Sequence, residues 1–297
     1  MIDPFPFRTN YLTVNSHRMH YLDEGQGDPV VMVHGNPTWC YYYRNLVAAL
    51  RGSYRAVALD HIGCGFSDKP DDRHYSYTLR QRADDLETVL DALDIRQRIT
   101  LVVHDWGGMI GMTYAVRHAE RIARIVVLNT GAFHLPKGKA FPWPLWISRN
   151  TWIGAFLIRG FNAFSRIAAR VCVRRAPMPA EVRRFYCMPY DSWKNRIATL
   201  RFVQDIPLTP RDAGYGLVTQ VEQGLHAFND TPMLICWGMK DFVFDHHFLD
   251  EWIRRMPKAE VHRFPLCGHY ILEDAGREII PLIQRFLENH PLEGAPS

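Results

Sequence analysis

Short apolar runs recur along the chain, and each breaks into a turn before apolar positions resume at helical spacing. Residues 29–33, 55–59, 99–103, 122–128, 232–237 and 260–264 are such runs. Their length and their valine and isoleucine content mark them as strands. Most are continuously apolar rather than alternating, which predicts burial on both faces, as in a parallel sheet. Two further strands, 10–14 and 19–22, are joined by a turn at Asn15-Ser16. Helical spacing occupies 43–50, 79–93, 248–256 and 276–290. In 79–93 the apolar positions are Ala83, Leu86, Val89, Leu90 and Leu93. Strands alternating with helices in this way predict an α/β domain whose sheet is covered on both faces.

Residues 133–216 break the alternation. They are helical, aromatic and punctuated by proline, and they sit between the strand ending at Leu128 and the one starting near Pro232. A helical cap is expected there, dividing the core into 1–132 and 217–297. Trp146, Trp152, Phe156, Leu157, Phe161 and Phe164 are expected as core and pocket lining. From 121 to 180 there is no Asp or Glu, against ten basic residues: Arg121, Arg124, Lys137, Lys139, Arg149, Arg159, Arg166, Arg170, Arg174 and Arg175. The rest of the chain then carries 25 basic residues against 31 acidic ones. A solvated basic face is one reading. An anionic membrane surface, an acidic partner and capture of a substrate carboxylate are the others.

Composition otherwise excludes more than it suggests. A net charge of +4 over 297 residues is too mild to argue for nucleic acid, and no binding motif accompanies it. No apolar run approaches the ~18–20 residues of a membrane-spanning helix. Six scattered cysteines lack any zinc or redox spacing. The N-terminal MIDPFPFRTN has neither a basic n-region nor an apolar h-region, so reduced thiols in a cytoplasm are expected.

Candidate chemistry centres on the strand 99–103, which ends in His104-Asp105-Trp106-Gly107-Gly108 before a helical pattern through Met112 to Arg117. A strand that turns sharply into a helix at glycines pushes the residue at the turn out at the top of the sheet. That residue is Asp105. Its carboxylate is already ionised near neutral pH and can attack carbon directly to form an ester. Capping of the following helix is the alternative role. Val103 stands where the usual elbow has its first glycine, so the crossing must tolerate a side chain. His269 follows the last strand and can serve as base. Asp241, after the preceding strand, can orient it, with Asp245 as the rival acid. The order Asp105, Asp241, His269 is nucleophile, acid, histidine. Asn129 ends the strand 122–128 and cannot act as an acid.

His34-Gly35-Asn36-Pro37 also follows a strand. The backbone N–H groups of Asn36 and Trp106 are oxyanion candidates, and the amide and indole of the same residues add donors for a leaving anion. A turn role for Asn36 and core packing for Trp106 are the alternatives. His246-His247 lacks the further ligands of a metal site. Ser67 is expected as a turn residue and His104 as a packed histidine.

At these residues the chain resembles the haloalkane dehalogenase-like branch of the α/β hydrolases. H-G-N-P-T-W with Tyr42-Tyr43-Arg44, V-V-H-D-W-G-G and W-G-M-K-D carry the resemblance. Within the branch, D-H-I-G-C-G-F-S-D-K-P and Y-D-S-W-K-N-R-I-A-T-L-R-F-V-Q-D-I-P-L resemble the bacterial β-lactone decarboxylases of long-chain olefin biosynthesis. The resemblance implies a mostly parallel eight-stranded sheet with helices on both faces and an inserted helical cap. It implies conversion of cis-3-alkyl-4-alkyloxetan-2-ones to cis-alkenes and carbon dioxide, with haloalkane hydrolysis as the alternative. Asp105 would open the lactone, His269 and Asp241 would assist, and Asn36 and Trp106 would stabilise the released anion. Attack at the carbonyl and attack at the ring carbon both remain open. No metal or organic cofactor is implied. Implied partners are a thiolase-like condensing enzyme and a β-lactone synthetase in a multi-enzyme assembly, in a cytoplasmic setting that the basic cap extends to the membrane periphery.

Overall fold

The computed structural model describes residues 5–292, so the N-terminal stretch read for a leader is described from Phe5 onward. Eight strands form one sheet: β1 (Asn10–Val14), β2 (His17–Glu24), β3 (Pro29–Val33), β4 (Arg55–Leu59), β5 (Ile99–Asp105), β6 (Ile122–Thr130), β7 (Met233–Gly238) and β8 (Glu260–Phe264). Their spatial order is β1-β2-β4-β3-β5-β6-β7-β8. β1 pairs antiparallel with β2, and β2 with β4; every other pair is parallel.

The helices are α1 (Arg44–Leu50), α2 (Leu79–Ala92), α3 (Trp106–Arg117), α4 (Trp143–Asn150), α5 (Trp152–Phe161), α6 (Ala163–Val171), α7 (Ala180–Cys187), α8 (Ile197–Gln204), α9 (Tyr215–Gly224), α10 (His246–Arg255) and α11 (Ile271–Asn289). Side chains alternate across the sheet as strand geometry demands. Val31 and Val33 of β3 join the core under α2, α3, α9 and α10. Val30 and Met32 join the opposite core under α1 and α11. Both faces are therefore apolar, which is why the central strands read as unbroken runs.

Several boundaries differ from the sequence reading, among them both ends of β2 and the end of β6. β5 continues two residues past Val103 to Asp105. α11 begins at Ile271, ahead of 276, and carries a non-helical Ala275 that hides its first turn from a periodicity count. α9, which the pattern did not announce, packs against α3.

Helices α4 to α8 lie between β6 and β7 and form the cap. Here two expectations hold only in part. Leu157 and Phe164 do line the cavity, Leu157 while exposed and Phe164 half-buried, whereas Trp146, Trp152, Phe156 and Phe161 are exposed and do not line it. The ten basic residues of 121–180 are also not uniformly free. Arg121 pairs with Asp91, Lys139 with Asp245, Arg149 with Asp212 and Arg175 with Glu278. Arg124 is buried, donating to the Thr100 hydroxyl and to the carbonyls of Leu287 and His290. The acids come from outside the segment, which a local charge count cannot register. Among the described residues, Lys137, Arg166 and Arg170 form no ion pair; Arg159 lies within the field of Asp72, and the Arg174 backbone N–H donates to Asp274.

Candidate active site

β5 delivers Asp105 to the C-terminal edge of the sheet, where the chain reverses directly into α3. Asp105 takes φ +52° and ψ −127°, a backbone state that persists only where the surroundings hold it. Gly107 and Gly108 let the reversal pack closely. A Cβ on the first would overlap the Val33 carbonyl oxygen, and on the second the Thr130 side chain. The Thr130 hydroxyl donates to the Asp105 carbonyl and fixes the turn. Val103 is accommodated from the other side: it faces Gly111 of α3, where a Cβ would press on the valine methyl.

The Asp105 carboxylate does not cap α3. Its Oδ1 accepts the Asn36 backbone N–H at 2.5 Å. Its Oδ2 lies 3.4 Å from His269 Nε2. His269 Nδ1 lies 2.7 Å from Asp241 Oδ2. Asp241 is anchored in turn, its Oδ1 accepting the backbone N–H groups of Val243 at 2.8 Å and Phe244 at 3.1 Å. Asn129 completes this support: its Nδ2 donates to Asp241 Oδ2 at 3.0 Å and its Oδ1 accepts the Gly238 N–H at 2.7 Å. An asparagine that cannot act as an acid instead positions the one that can. Asp245, the rival acid, caps α10 and pairs with Lys139.

Burial opposes charge on both members of the central pair. It would push His269 down, yet the Asp241 and Asp105 carboxylates outweigh it and raise the imidazole to about 10. It would push Asp105 up, yet the His269 hydrogen bond and charge, helped by the Asn36 N–H, bring its carboxyl below the ordinary range. The resting site thus holds an imidazolium between two carboxylates. Behind it, burial and the His269 charge push His104 down to about 3. Neutral His104 donates from Nε2 to the His269 carbonyl at 2.9 Å and stacks on Tyr42. It is packed, as expected, but it also holds the backbone of His269, a contact visible only in three dimensions.

Asn36 and Trp106 meet on the wall of one cavity of about 660 Å³ that also contains Asp105 and His269. The Asn36 Nδ2 donates to the Thr199 carbonyl at 3.2 Å, which fixes the orientation of the amide and leaves its second N–H for a ligand. The Trp106 indole N–H meets no protein acceptor among the described residues. The Asn36 backbone N–H differs from expectation, because the nucleophile's own Oδ1 occupies it. Most of the remaining wall is apolar, with Phe133, Ile158, Phe164, Val203 and Phe244 among its residues. Phe244 also stacks against His269.

The other candidates lie elsewhere. Ser67 is buried in its turn and donates to the Asp60 carbonyl. His246 and His247 open α10 beside Asp245, and His20, Cys40 and Asp60 cluster in the core. Neither group lines the cavity, and the acid of each is already engaged by hydrogen bonds within the chain.

The α/β-hydrolase fold family matches residues 28–276. A cis-3-alkyl-4-alkyloxetan-2-one decarboxylase of Shewanella oneidensis is 59% identical over 282 residues, covering 95% of this chain and 89% of the relative. A decarboxylase of the same name from Xanthomonas campestris is 50% identical over 281 residues, covering 92% and 93%. The solved structure of a haloalkane dehalogenase from Agrobacterium tumefaciens superposes with a TM-score of 0.85 at 25% identity, covering 96% and 97%.

Proposed function

The chain belongs to the α/β hydrolases, in their haloalkane dehalogenase-like branch, and on that premise we propose that it decarboxylates cis-3-alkyl-4-alkyloxetan-2-ones to cis-alkenes. The observation that carries this reading is the high identity to two decarboxylases over almost the whole chain, cap included. The apolar cavity over Asp105 suits a substrate with two alkyl arms.

The geometry favours one of the two modes of ring opening. Attack by Oδ2 at the lactone carbonyl would call for an empty backbone oxyanion hole, and the Asn36 N–H is taken by Oδ1. Attack at the ring carbon that bears the lactone oxygen calls for none. There a bond from Oδ2 to carbon forms as the carbon–oxygen ring bond breaks, and the ring oxygen departs as part of a carboxylate. The free amide N–H of Asn36 and the indole N–H of Trp106 are the donors for that anion. In the second step the carboxylate loses carbon dioxide. The electron pair of the broken carbon–carbon bond becomes the alkene, and the ester oxygen leaves as the Asp105 carboxylate. No water is consumed.

Stereochemistry agrees. Opening at the ring carbon inverts it, and the two leaving groups can then depart anti to each other. Inversion followed by anti elimination converts a cis-lactone to a cis-alkene. The His269 imidazolium, 3.4 Å from Oδ2, stabilises the departing Asp105 carboxylate. The same donors suit a halide, and once Asp105 is esterified His269 loses one of its two carboxylates and becomes a weaker acid-holder and a usable base. Haloalkane hydrolysis is therefore the second reading.

The test is a headspace measurement of alkene and carbon dioxide from a synthetic cis-lactone, beside halide release from a bromoalkane. Alkene formation should dominate, and Asp105→Ala should lower it by about 10⁴-fold or more. Faster halide release than alkene formation would replace the first reading by the second. Full activity in Asp105→Ala would remove both.

A further inference from the structure

The cap carries an apolar face that nothing among the described residues covers. Trp152 is 78% exposed and Trp143 is 73% exposed. Trp146, Ile153, Phe156, Phe161 and Ile167 are exposed beside them. In α5 only Gly154 and Ile158 are buried, and the only charged residue is Arg159. A helix of this composition normally turns its apolar side inward; α5 turns most of it out. Contiguous exposed apolar side chains of this kind mark an interaction surface.

Two further observations say what it meets. First, the exposed face is continuous with the mouth of the cavity. Trp143, Leu157 and Ile167 line the cavity and are exposed at the same time, so the opening lies between α4, α5 and α6 and is rimmed by apolar groups. Second, the border of the face is positive. Arg166 and Arg170 are exposed one turn apart on α6, next to Ile167, in a groove beside the cavity that also holds Arg183, Arg196 and Asp191, and neither forms an ion pair among the described residues. Lys137 is exposed and likewise forms no ion pair among the described residues, and Arg174, whose backbone N–H meets Asp274, lies on the cavity wall itself. Trp, Phe, Ile and Leu on one face with Arg at its border is the composition of helices that lie in the headgroup region of a bilayer.

We propose that α4, α5 and α6 dock the protein on an anionic lipid bilayer, with the cavity mouth facing the acyl chains. An apolar substrate then passes from membrane to Asp105 without crossing water, and an apolar product returns the same way. The docking surface stands on the cap alone; only the identity of the passenger rests on the lactone reading.

The experiment uses the full chain, without substrate, in co-sedimentation with phosphatidylcholine vesicles and with mixed phosphatidylcholine–phosphatidylglycerol vesicles. Binding to the mixed vesicles is expected, with little to pure phosphatidylcholine. It should weaken in 1 M salt, where the Debye length falls to about 3 Å. Arg166→Gln with Arg170→Gln should lower the partition coefficient by at least about tenfold. Trp152→Ser with Phe156→Ser should lower it as much. None of these four residues lines the cavity, so turnover of a short, water-soluble β-lactone should be unchanged in both variants. A protein that stays in the supernatant with both vesicles overturns the proposal. So does salt-sensitive binding to soluble polyglutamate that matches vesicle binding and ignores the Trp152 and Phe156 changes, which would indicate an acidic protein partner. Self-association abolished by Trp152→Ser, without vesicle binding, would give the face to a second copy of the chain. Failure of lactone turnover leaves the vesicle result standing, so the two readings fail separately.

Discussion

The sheet and the cap are built from similarly apolar sequence and treat it in opposite ways. All seven residues of β5 are buried, whereas α5, equally rich in large apolar side chains, buries two of its ten residues. A central strand has neighbours on both edges and helices on both faces, so every side chain finds a partner. The cap is a single layer of short helices. Its underside already forms an apolar cavity wall, and none of the described residues lies over its outer side. Hydrophobicity in the sequence reports burial only where a second layer exists to receive it. In the cap it reports a cavity within and an exposed apolar face without.

The difference breaks most sharply at the glycines. At Gly107 the added methyl of Gly107→Ala meets the Val33 carbonyl oxygen with the His34 carbonyl close behind. These are backbone atoms of the sheet and its adjoining loop and cannot swing aside. The expected loss is about 4 kcal/mol or more, read as a lowered urea midpoint, together with loss of turnover because Asp105 is displaced. A near-normal midpoint would show that the strand–helix crossing is looser than its packing indicates.

The same contrast explains what the sequence could and could not reveal. β3, β4 and β8 match their expected bounds because continuous apolar runs between turns admit one interpretation. Asp105 was legible because the His-Asp-Trp-Gly-Gly turn between a strand and a helix leaves little else for the middle residue to do. Asp241 and His269 were legible from their place after β7 and β8. Asn129 and His104 were met in the sequence, but their roles depend on contacts spanning 112 and 165 positions, and no local pattern carries those. The charge of the cap misled for the same reason. Asp91, Asp245, Asp212 and Glu278, which pair with four of its ten basic residues, all lie outside the acid-free segment. The exposed tryptophans misled because composition alone does not say which side of a helix faces the cavity.

A second test compares the buried site with the solvated surface through pH. His269 is raised from its ordinary value near 6.5 to about 10 in the folded protein. A raised folded value means that folding takes up a proton in the window between the two. The stabilisation is therefore fully present below about pH 6.5 and declines as pH rises through about 10. Surface groups titrate in that window too, but they do so equally in His269→Gln. The difference in melting temperature between the parent protein and His269→Gln should move steadily against the parent as pH rises from 6.5 to 10. A difference independent of pH would mean that the imidazole is neutral at rest, and that its two carboxylate neighbours are screened.

The smallest effect is expected in the cap. Gly160 sits inside α5, and a Cβ there would meet only the Phe156 ring, at an ordinary 3.7 Å. Gly160→Ala should stabilise the helix by no more than about 1 kcal/mol, since alanine loses less backbone entropy on folding. In a chain of this length that corresponds to a rise of at most about 3 °C in melting temperature. The sign alone separates the two regions, because the same glycine-to-alanine change is ruinous at Gly107. Whether the gain appears in full also tells how cap and core are joined. α5 packs on α4 and α8, and the cap is tied to the core where Asp205, after α8, accepts the Leu79 backbone N–H and where Arg201 pairs with Asp72 and Arg175 with Glu278. One cooperative unit is the expectation, with the melting temperature rising by the whole increment. Slower amide exchange in α5 with no change in global melting would instead mark the cap as a unit that opens on its own.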